Sequence, residues 1–319
     1  MPGEDLHRPV KVVVVGAGYV GATFAYSLLQ SGLASEIVLI DANRAKAEGE
    51  AMDLNHAVPL ARPVRIWAGD YSDCAGAAVT VVTAGSAQRP GETRLDLTAR
   101  NVEIFRSIIP QIAQNNPNGI LLIATNPVDV LTYASWKLSG LPRERVIGSG
   151  TILDTARFRY LLSQYFQVDA RSVHAYIIGE HGDSEVPVWS LANIAGMHLP
   201  VYCRQNNMHC VDADLQDIFQ QTRDAAYHII ERKGATYYAI GMGLLRIVEA
   251  ILRDQSTVLS VSSYIKDYYG INDVYLSLPS VVDRGGIEKT LHLELDAAEQ
   301  LGLRNSANLL RKLIQDLGL

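Results

Sequence analysis

The stretch from Val10 to Asp41 narrows the possible folds more than any other. Val10-Lys11-Val12-Val13-Val14-Val15 is a β-branched run of the kind buried on both faces of a parallel sheet. It leads into Gly16-Ala17-Gly18-Tyr19-Val20-Gly21, then into Ala22 to Gln30, which is apolar at helical spacing and ends near Gly32. A second strand, Glu36 to Ile40, ends at Asp41. Glycines spaced GxGxxG can serve nothing more than a tight turn. Here they sit between a strand and a helix, and an acid closes the next strand twenty residues after Gly21, which points to a bound dinucleotide. Gly16 permits the turn, Gly18 lets a pyrophosphate approach the backbone, and Gly21 lets helix and strand pack closely. The helix N-terminus meets the phosphate charge. Asp41 can accept hydrogen bonds from the adenosine ribose and repel a 2′-phosphate, which favours NAD over NADP.

The alternation of strand and helix continues. Ala78 to Ala84 and Gly119 to Thr125 read as further buried strands, with a helix from Leu95 to Ala113 between them. The polar segment Gly85 to Arg94 follows a strand on its carboxyl side, where open α/β sheets bind ligands, and reads as a lid. Asn126-Pro127-Val128-Asp129 closes the next strand at the same edge. The second half differs in texture. A helix opens at Asp154 and runs to about Phe166, and Val173 to Ile178 reads as one apolar strand. Asp212 to Arg232 and Thr236 to Leu252 read as helices, Thr257 to Ile265 and Asp273 to Val282 as antiparallel strands, and Ala297 to Leu317 as an amphipathic helix. The expected fold is α/β: a Rossmann doubly wound parallel sheet over residues 1–150, then an α/β substrate domain with antiparallel strands over 151–319.

Composition excludes several functions. A net charge of −6 gives no basic excess for nucleic acid, so no nucleic-acid partner is expected. No apolar run reaches membrane-spanning length, and Met1 to Pro9 lacks the apolar centre of a signal peptide. Cys74, Cys203 and Cys210 form no CxxC pair and no disulfide framework, so a reduced, cytoplasmic setting and plain packing roles are expected, and no metal site.

The chemistry centres on Ile178-Gly179-Glu180-His181-Gly182-Asp183. A lone histidine in such a stretch is most often a surface turn. At a strand end between two glycines, however, His181 is placed to face a cleft and exchange a proton near neutrality. Asp154 and Arg157 lie three apart on one helix face, a spacing that usually gives a local ion pair. Beside a nicotinamide-binding half they suit hydride transfer at a carbinol. His181 is then the acid/base group, and Asp154 fixes its tautomer. Arg157 forks onto a substrate carboxylate, and Arg94, delivered by the lid, polarises the carbonyl.

The motifs GAGYVG (16–21), DLNH (53–56), AGSAQRPGETR (84–94), ATNPVD (124–129), GSGTILDTARFR (148–159), IIGEHGDSEVPVWS (177–190) and KGATYYAIG (233–241) span essentially the whole chain. Together they resemble the bacterial-type L-lactate dehydrogenases of the lactate/malate dehydrogenase family. The resemblance implies pyruvate and L-lactate as substrates and repeats the roles of His181, Asp154, Arg157 and Arg94. It adds Asn126, touching substrate and cofactor, and Thr236 as a pocket residue. Along the NAD it implies Gly16, Gly18, Val20, Gly21, Asp41, Lys46, Tyr71, Gly85, Ser86, Ser107, Ala124, Thr125, Asn126 and Ser149. Malate dehydrogenases usually carry an arginine six residues before the polarising arginine, and this chain has the neutral Gln88 there. Burying an unpaired second carboxylate would be costly, so pyruvate is favoured over oxaloacetate. The resemblance also implies a fructose 1,6-bisphosphate effector held by Arg159 and His174 where two subunits meet, in a homotetramer that lacks a long N-terminal arm. The rival readings are a malate dehydrogenase and a catalytically silent NAD-binding protein.

Overall fold

The computed structural model describes residues 10–86, 91 and 94–319, with the backbone alone at Arg94. The first half alternates as read. In order come β1 (Lys11–Val15), α1 (Tyr19–Ser31), β2 (Glu36–Ile40), α2 (Arg44–Ala57), β3 (Arg65–Ala68), β4 (Val79–Val82), α3 (Arg94–Asn115), β5 (Ile120–Ile123), α4 (Val128–Ser139) and β6 (Val146–Gly148). The strands pair in parallel in the order β6-β5-β4-β1-β2-β3, with Val13 opposite both Val38 and Thr80. This is the doubly wound arrangement, in which the chain reverses direction across the sheet beside β1 and opens a crevice at the carboxyl ends. β4 and β5 are buried along their whole length, as β-branched and aliphatic runs covered on both faces must be. Gly32 closes α1 in the left-handed conformation at φ 65°.

The second half continues with α5 (Ile152–Phe166), β7 (Val173–His174), β8 (Ile177–Ile178), β9 (Val186–Pro187), β10 (Asn193–Ile194), β11 (Met197–His198) and α6 (Leu199–Gln205). Then follow α7 (Asp212–Lys233), α8 (Tyr238–Leu252), β12 (Thr257–Ile265), β13 (Val274–Asp283), β14 (Gly286–Thr290) and α9 (Ala297–Asp316). The antiparallel strands do not form a separate sheet. β12 pairs with β6 through Ser262 and Gly148, so β12, β13 and β14 extend the first sheet to nine strands. Glycine permits this approach, because a Cβ on Gly148 would lie 2.8 Å from the Ser262 Cβ.

Two expectations are corrected. The stretch Val173 to Ile178 is not one strand: β7 pairs with β10, whereas β8 pairs with β9. Side chains of α5 capture the backbone between them. Arg159 Nε donates to the Ala175 carbonyl at 2.8 Å, and the Ile177 amide donates to Thr155 Oγ1 at 3.0 Å. Cys203 and Cys210, expected to be unpaired, are joined by a disulfide across the turn from α6 to α7, with Cα atoms 6.0 Å apart. A seven-residue separation carries no spacing signature, since only the turn back from α6 brings the two together. Cys74 is free and buried. No helix among the described residues is long and apolar enough to cross a membrane.

Candidate active site

The cofactor crest forms where β1 meets α1. Gly16 adopts φ +105°, and its amide donates to the Ile40 carbonyl at 2.7 Å. A side chain at Gly21 would run into the Gly16 carbonyl, whereas nothing lies within 4 Å of a Cβ on Gly18. The first turn of α1 has no side-chain cap, so its amides are left to an anion. Asp41 is fixed beside them: its Oδ2 accepts from the Ala17 amide at 2.7 Å and its Oδ1 from the Asn43 amide at 2.8 Å. An open glycine face, uncapped amides and a fixed carboxylate at the end of β2 fit NAD. Burial, aided by the charge of Asp41, raises the Tyr71 phenol and keeps it neutral.

Gly85 and Ser86 follow β4, Ala124, Thr125 and Asn126 follow β5, and Ser149 follows β6, all at the carboxyl edge. Val20 lies in the first turn of α1 and the exposed Lys46 in that of α2. Ser107 sits on α3 rather than at a strand end, its hydroxyl donating to the Ile104 carbonyl at 2.7 Å.

The structure brings His181, Asp154 and Arg157 into one hydrogen-bonded chain with the buried Asp154 at its centre. The imidazole Nδ1 hydrogen-bonds Asp154 Oδ2, and Arg157 Nη1 donates to Asp154 Oδ1 at 2.9 Å. The Asp154 side chain is 4% exposed, that of Arg157 13% and that of His181 22%. Burial opposes ionisation of Asp154, but His181 and then Arg157 hold its carboxyl below the ordinary range. Burial likewise opposes a charged imidazole. The Asp154 carboxylate overrides it by charge and hydrogen bond, with Asp129 and Glu185 adding to it, and lifts His181 to about 9. With Nδ1 committed to Asp154, Nε2 is the nitrogen left for chemistry.

Asn126, Asp154, Arg157, His181, Glu185 and Arg223 are among the residues lining a cleft of about 470 Å³. Three of its supports are not singled out by the sequence reading. Asp129 Oδ2 accepts from the His181 amide at 2.8 Å and its Oδ1 from Ser262 Oγ at 2.6 Å; burial pushes its carboxyl up to about 6. Asn101 accepts from the Ser86 amide at 2.8 Å and donates to the Asn126 carbonyl at 3.0 Å, tying the chain that leaves β4 to the end of β5. Glu185 is buried, its Oε1 has no hydrogen-bond partner among the described residues, and burial followed by the charge of Asp154 pushes its carboxyl up to about 9. Asn101 is a polar residue on the buried face of an amphipathic helix, the one visible sign of a structural job; Asp129 and Glu185 lie inside motifs read for other residues.

Thr236 does not line this cleft. It lines a neighbouring apolar groove of about 570 Å³ among α5, α7 and α8, which shares Arg157 with the cleft. Gln88 and the side chain of Arg94 lie outside the described residues. Arg159 and His174 are brought together elsewhere on the surface: Arg159 bonds the carbonyl next to His174, which is exposed, and stacks its guanidinium 4.9 Å from the Tyr176 ring.

Residues 10–148 match the lactate/malate dehydrogenase NAD binding domain, and residues 151–317 match that family's alpha/beta C-terminal domain. An L-lactate dehydrogenase of Priestia megaterium is 55% identical over 95% of each chain, and one of Acetivibrio thermocellus is 54% identical over 96% of this chain and 97% of its own. A lactate dehydrogenase from a Medee basin deep-sea metagenome library superposes with a TM-score of 0.95 at 48% identity, over 98% of this chain and 100% of that one. The minor L-lactate dehydrogenase of Enterococcus mundtii does so at 0.94 and 43%, over 97% and 98%. With both halves of its length matched and its nucleotide crest and cleft in place, the chain belongs to the lactate/malate dehydrogenase family.

Proposed function

We propose that this chain is an NAD-dependent L-lactate dehydrogenase, interconverting pyruvate and L-lactate in the cleft that holds His181. The observation that carries the reading is Asp154 bridging imidazole and guanidinium in one buried cleft. NADH, when bound, supplies the hydride. Arg157 spends one N–H on Asp154 and keeps the rest of its fork for the substrate carboxylate. His181, protonated at neutral pH, gives its Nε2 proton to the oxygen that becomes the lactate hydroxyl and takes it back in reverse. Asp154 stabilises the charged imidazole and fixes its tautomer. Asn126 borders the same space, and Arg94 polarises the carbonyl from the lid. Gln88 leaves a second substrate carboxylate without a partner, which separates pyruvate from oxaloacetate.

The pH dependence tests this assignment. The folded value of His181, about 9, lies above its ordinary 6.5, so the stabilisation it contributes is complete below 6.5 and lost as pH rises through 9. Pyruvate reduction needs the imidazolium and should fall on the alkaline side of about 9. Lactate oxidation needs the neutral ring and should rise over the same range. The pH profiles of kcat/KM in both directions check this, and matching profiles would remove His181 as the proton carrier.

We further infer a homotetramer that responds to fructose 1,6-bisphosphate in the cytoplasm. A reducing compartment would open the Cys203–Cys210 bond to thiols. Tyr19 at 71% exposure, Tyr238 at 68% and Met242 at 57% present an apolar face on α1 and α8 suited to a second subunit. Arg159 and His174 supply donors for the effector's phosphates, doubled across a two-fold axis. The bisphosphate should increase pyruvate affinity in the wild type and not in Arg159→Ala, and an equal response in both would reject the site.

A further inference from the structure

Three consecutive amides lead into His181, and each is held by a different part of the chain. The Gly179 amide donates to the Ser277 carbonyl of β13 at 2.8 Å, and the Ser277 amide returns the bond at 2.9 Å. The His181 amide donates to Asp129 on α4. Between them the Glu180 amide donates to Ser306 Oγ on α9 at 2.6 Å, across 126 residues of sequence. Ser306 is wholly buried and Glu180 is 1% exposed. Ser184 Oγ bonds the Glu180 carboxylate and lies 3.2 Å from Ser306 Oγ, so backbone, hydroxyls and carboxylate close a ring around the turn that carries His181. Gly179 leaves room for it: at φ +89°, a Cβ there would stand 2.8 Å from Ser306 Oγ.

The same helix grips the far end of the stretch. Glu299 caps α9 with Asp296 in a reciprocal pair, and its carboxylate also accepts from the Ser190 amide at 2.9 Å and the Ser190 hydroxyl at 2.6 Å. A loop fixed at two points on one helix cannot shift its histidine without moving the helix or leaving buried polar groups unpaired.

We propose that Ser306 is a positioning residue for proton transfer: through the Glu180 amide, the C-terminal helix α9 holds His181 in register with Asp154 and the substrate. This rests on the reading of His181 as the acid/base group. Among the described residues, the titratable and charged groups that act on the imidazole or line its cleft are Asp154 and Arg157 from α5, Asp129 from α4, Asp183 and Glu185 from its own loop, and Arg223 and Tyr227 from α7. From α9 the loop meets the Ser306 hydroxyl and the Glu299 carboxylate. Loosening the turn therefore weakens the pairing with Asp154 and Asp129 without introducing a new charge.

The test compares wild type with Ser306→Ala, Ser184→Ala and His181→Gln, measuring single-turnover NADH oxidation by pyruvate against pH, NADH affinity by fluorescence titration, and Tm. In Ser306→Ala the alkaline midpoint should move down by about one pH unit. The rate at neutral pH should fall about 10- to 100-fold as the histidine leaves its register, with NADH affinity unchanged. Ser184→Ala, which removes a hydroxyl from a less buried position, should shift both in the same direction by less, and it carries the test if Ser306→Ala does not fold. A lower Tm with an unmoved midpoint and rate in both serine variants would reduce Ser306 to a packing residue and overturn the proposal. If the alkaline limb persists in His181→Gln, the active-site reading itself fails, and the role of Ser306 with it.

Discussion

Replacing His181 with glutamine is expected to lower kcat/KM for pyruvate by about 10²- to 10⁴-fold, the usual contribution of a positioned general acid. Glutamine keeps a side-chain donor within reach of Asp154, which is otherwise buried with Arg157 as its remaining charged partner. The loss is therefore chemical before it is structural. NADH affinity should be preserved, because the dinucleotide crest lies at the ends of β1 and β2 and its fixed acid, Asp41, takes its bonds from Ala17 and Asn43. Steady-state rates and a fluorescence titration of NADH separate the two effects. A variant that still turns over pyruvate at the wild-type rate would require another proton carrier in the cleft.

Replacing Arg157 with lysine is expected to raise KM for pyruvate about 10- to 100-fold. Lysine keeps the charge and loses the planar fork. One charge-assisted hydrogen bond to the substrate is lost, worth about 1.5–3 kcal/mol. The same change weakens the 2.9 Å bond to Asp154, so the alkaline limb of the pH profile should shift as well, joining substrate binding to proton affinity through one carboxylate. Substitution of Arg223, which lines the same cleft without a bond to Asp154, serves as the comparison. Similar KM values for Arg157→Lys and the wild type would mean that the substrate carboxylate is held elsewhere.

Local features of the chain are the ones its sequence displays. The run from β1 through Gly16, Gly18 and Gly21 to Asp41 is legible because each residue acts on its neighbours: a strand, a turn, a helix start, a strand end. Asp154 and Arg157 are legible for the same reason, three apart on one helix. The supports of His181 are not, since Asp129 (itself held by Ser262), Ser277, Ser306 and Glu299 reach its loop from other elements, and no spacing relates them. The single strand expected from Val173 to Ile178 divides because Arg159 and Thr155, a helix away, take its backbone groups. Helix α4 is buried at every position from Val128 to Ser135, so even its polar residues there, Asp129, Thr132 and Ser135, mark no solvent face. The strands of the second half read correctly as antiparallel, but their joining of the first sheet depends on the missing side chain of Gly148. Thr236 falls in the groove behind Arg157, and the lid positions Gln88 and Arg94 rest on sequence alone.

The most direct measurement is NADH oxidation with pyruvate and with oxaloacetate in parallel, under the same conditions. A chain that binds a monocarboxylate on Arg157 and has Gln88 in its lid should use pyruvate with much the higher kcat/KM. A preference for oxaloacetate would contradict the lactate dehydrogenase reading and assign the chain to the malate-specific side of its family.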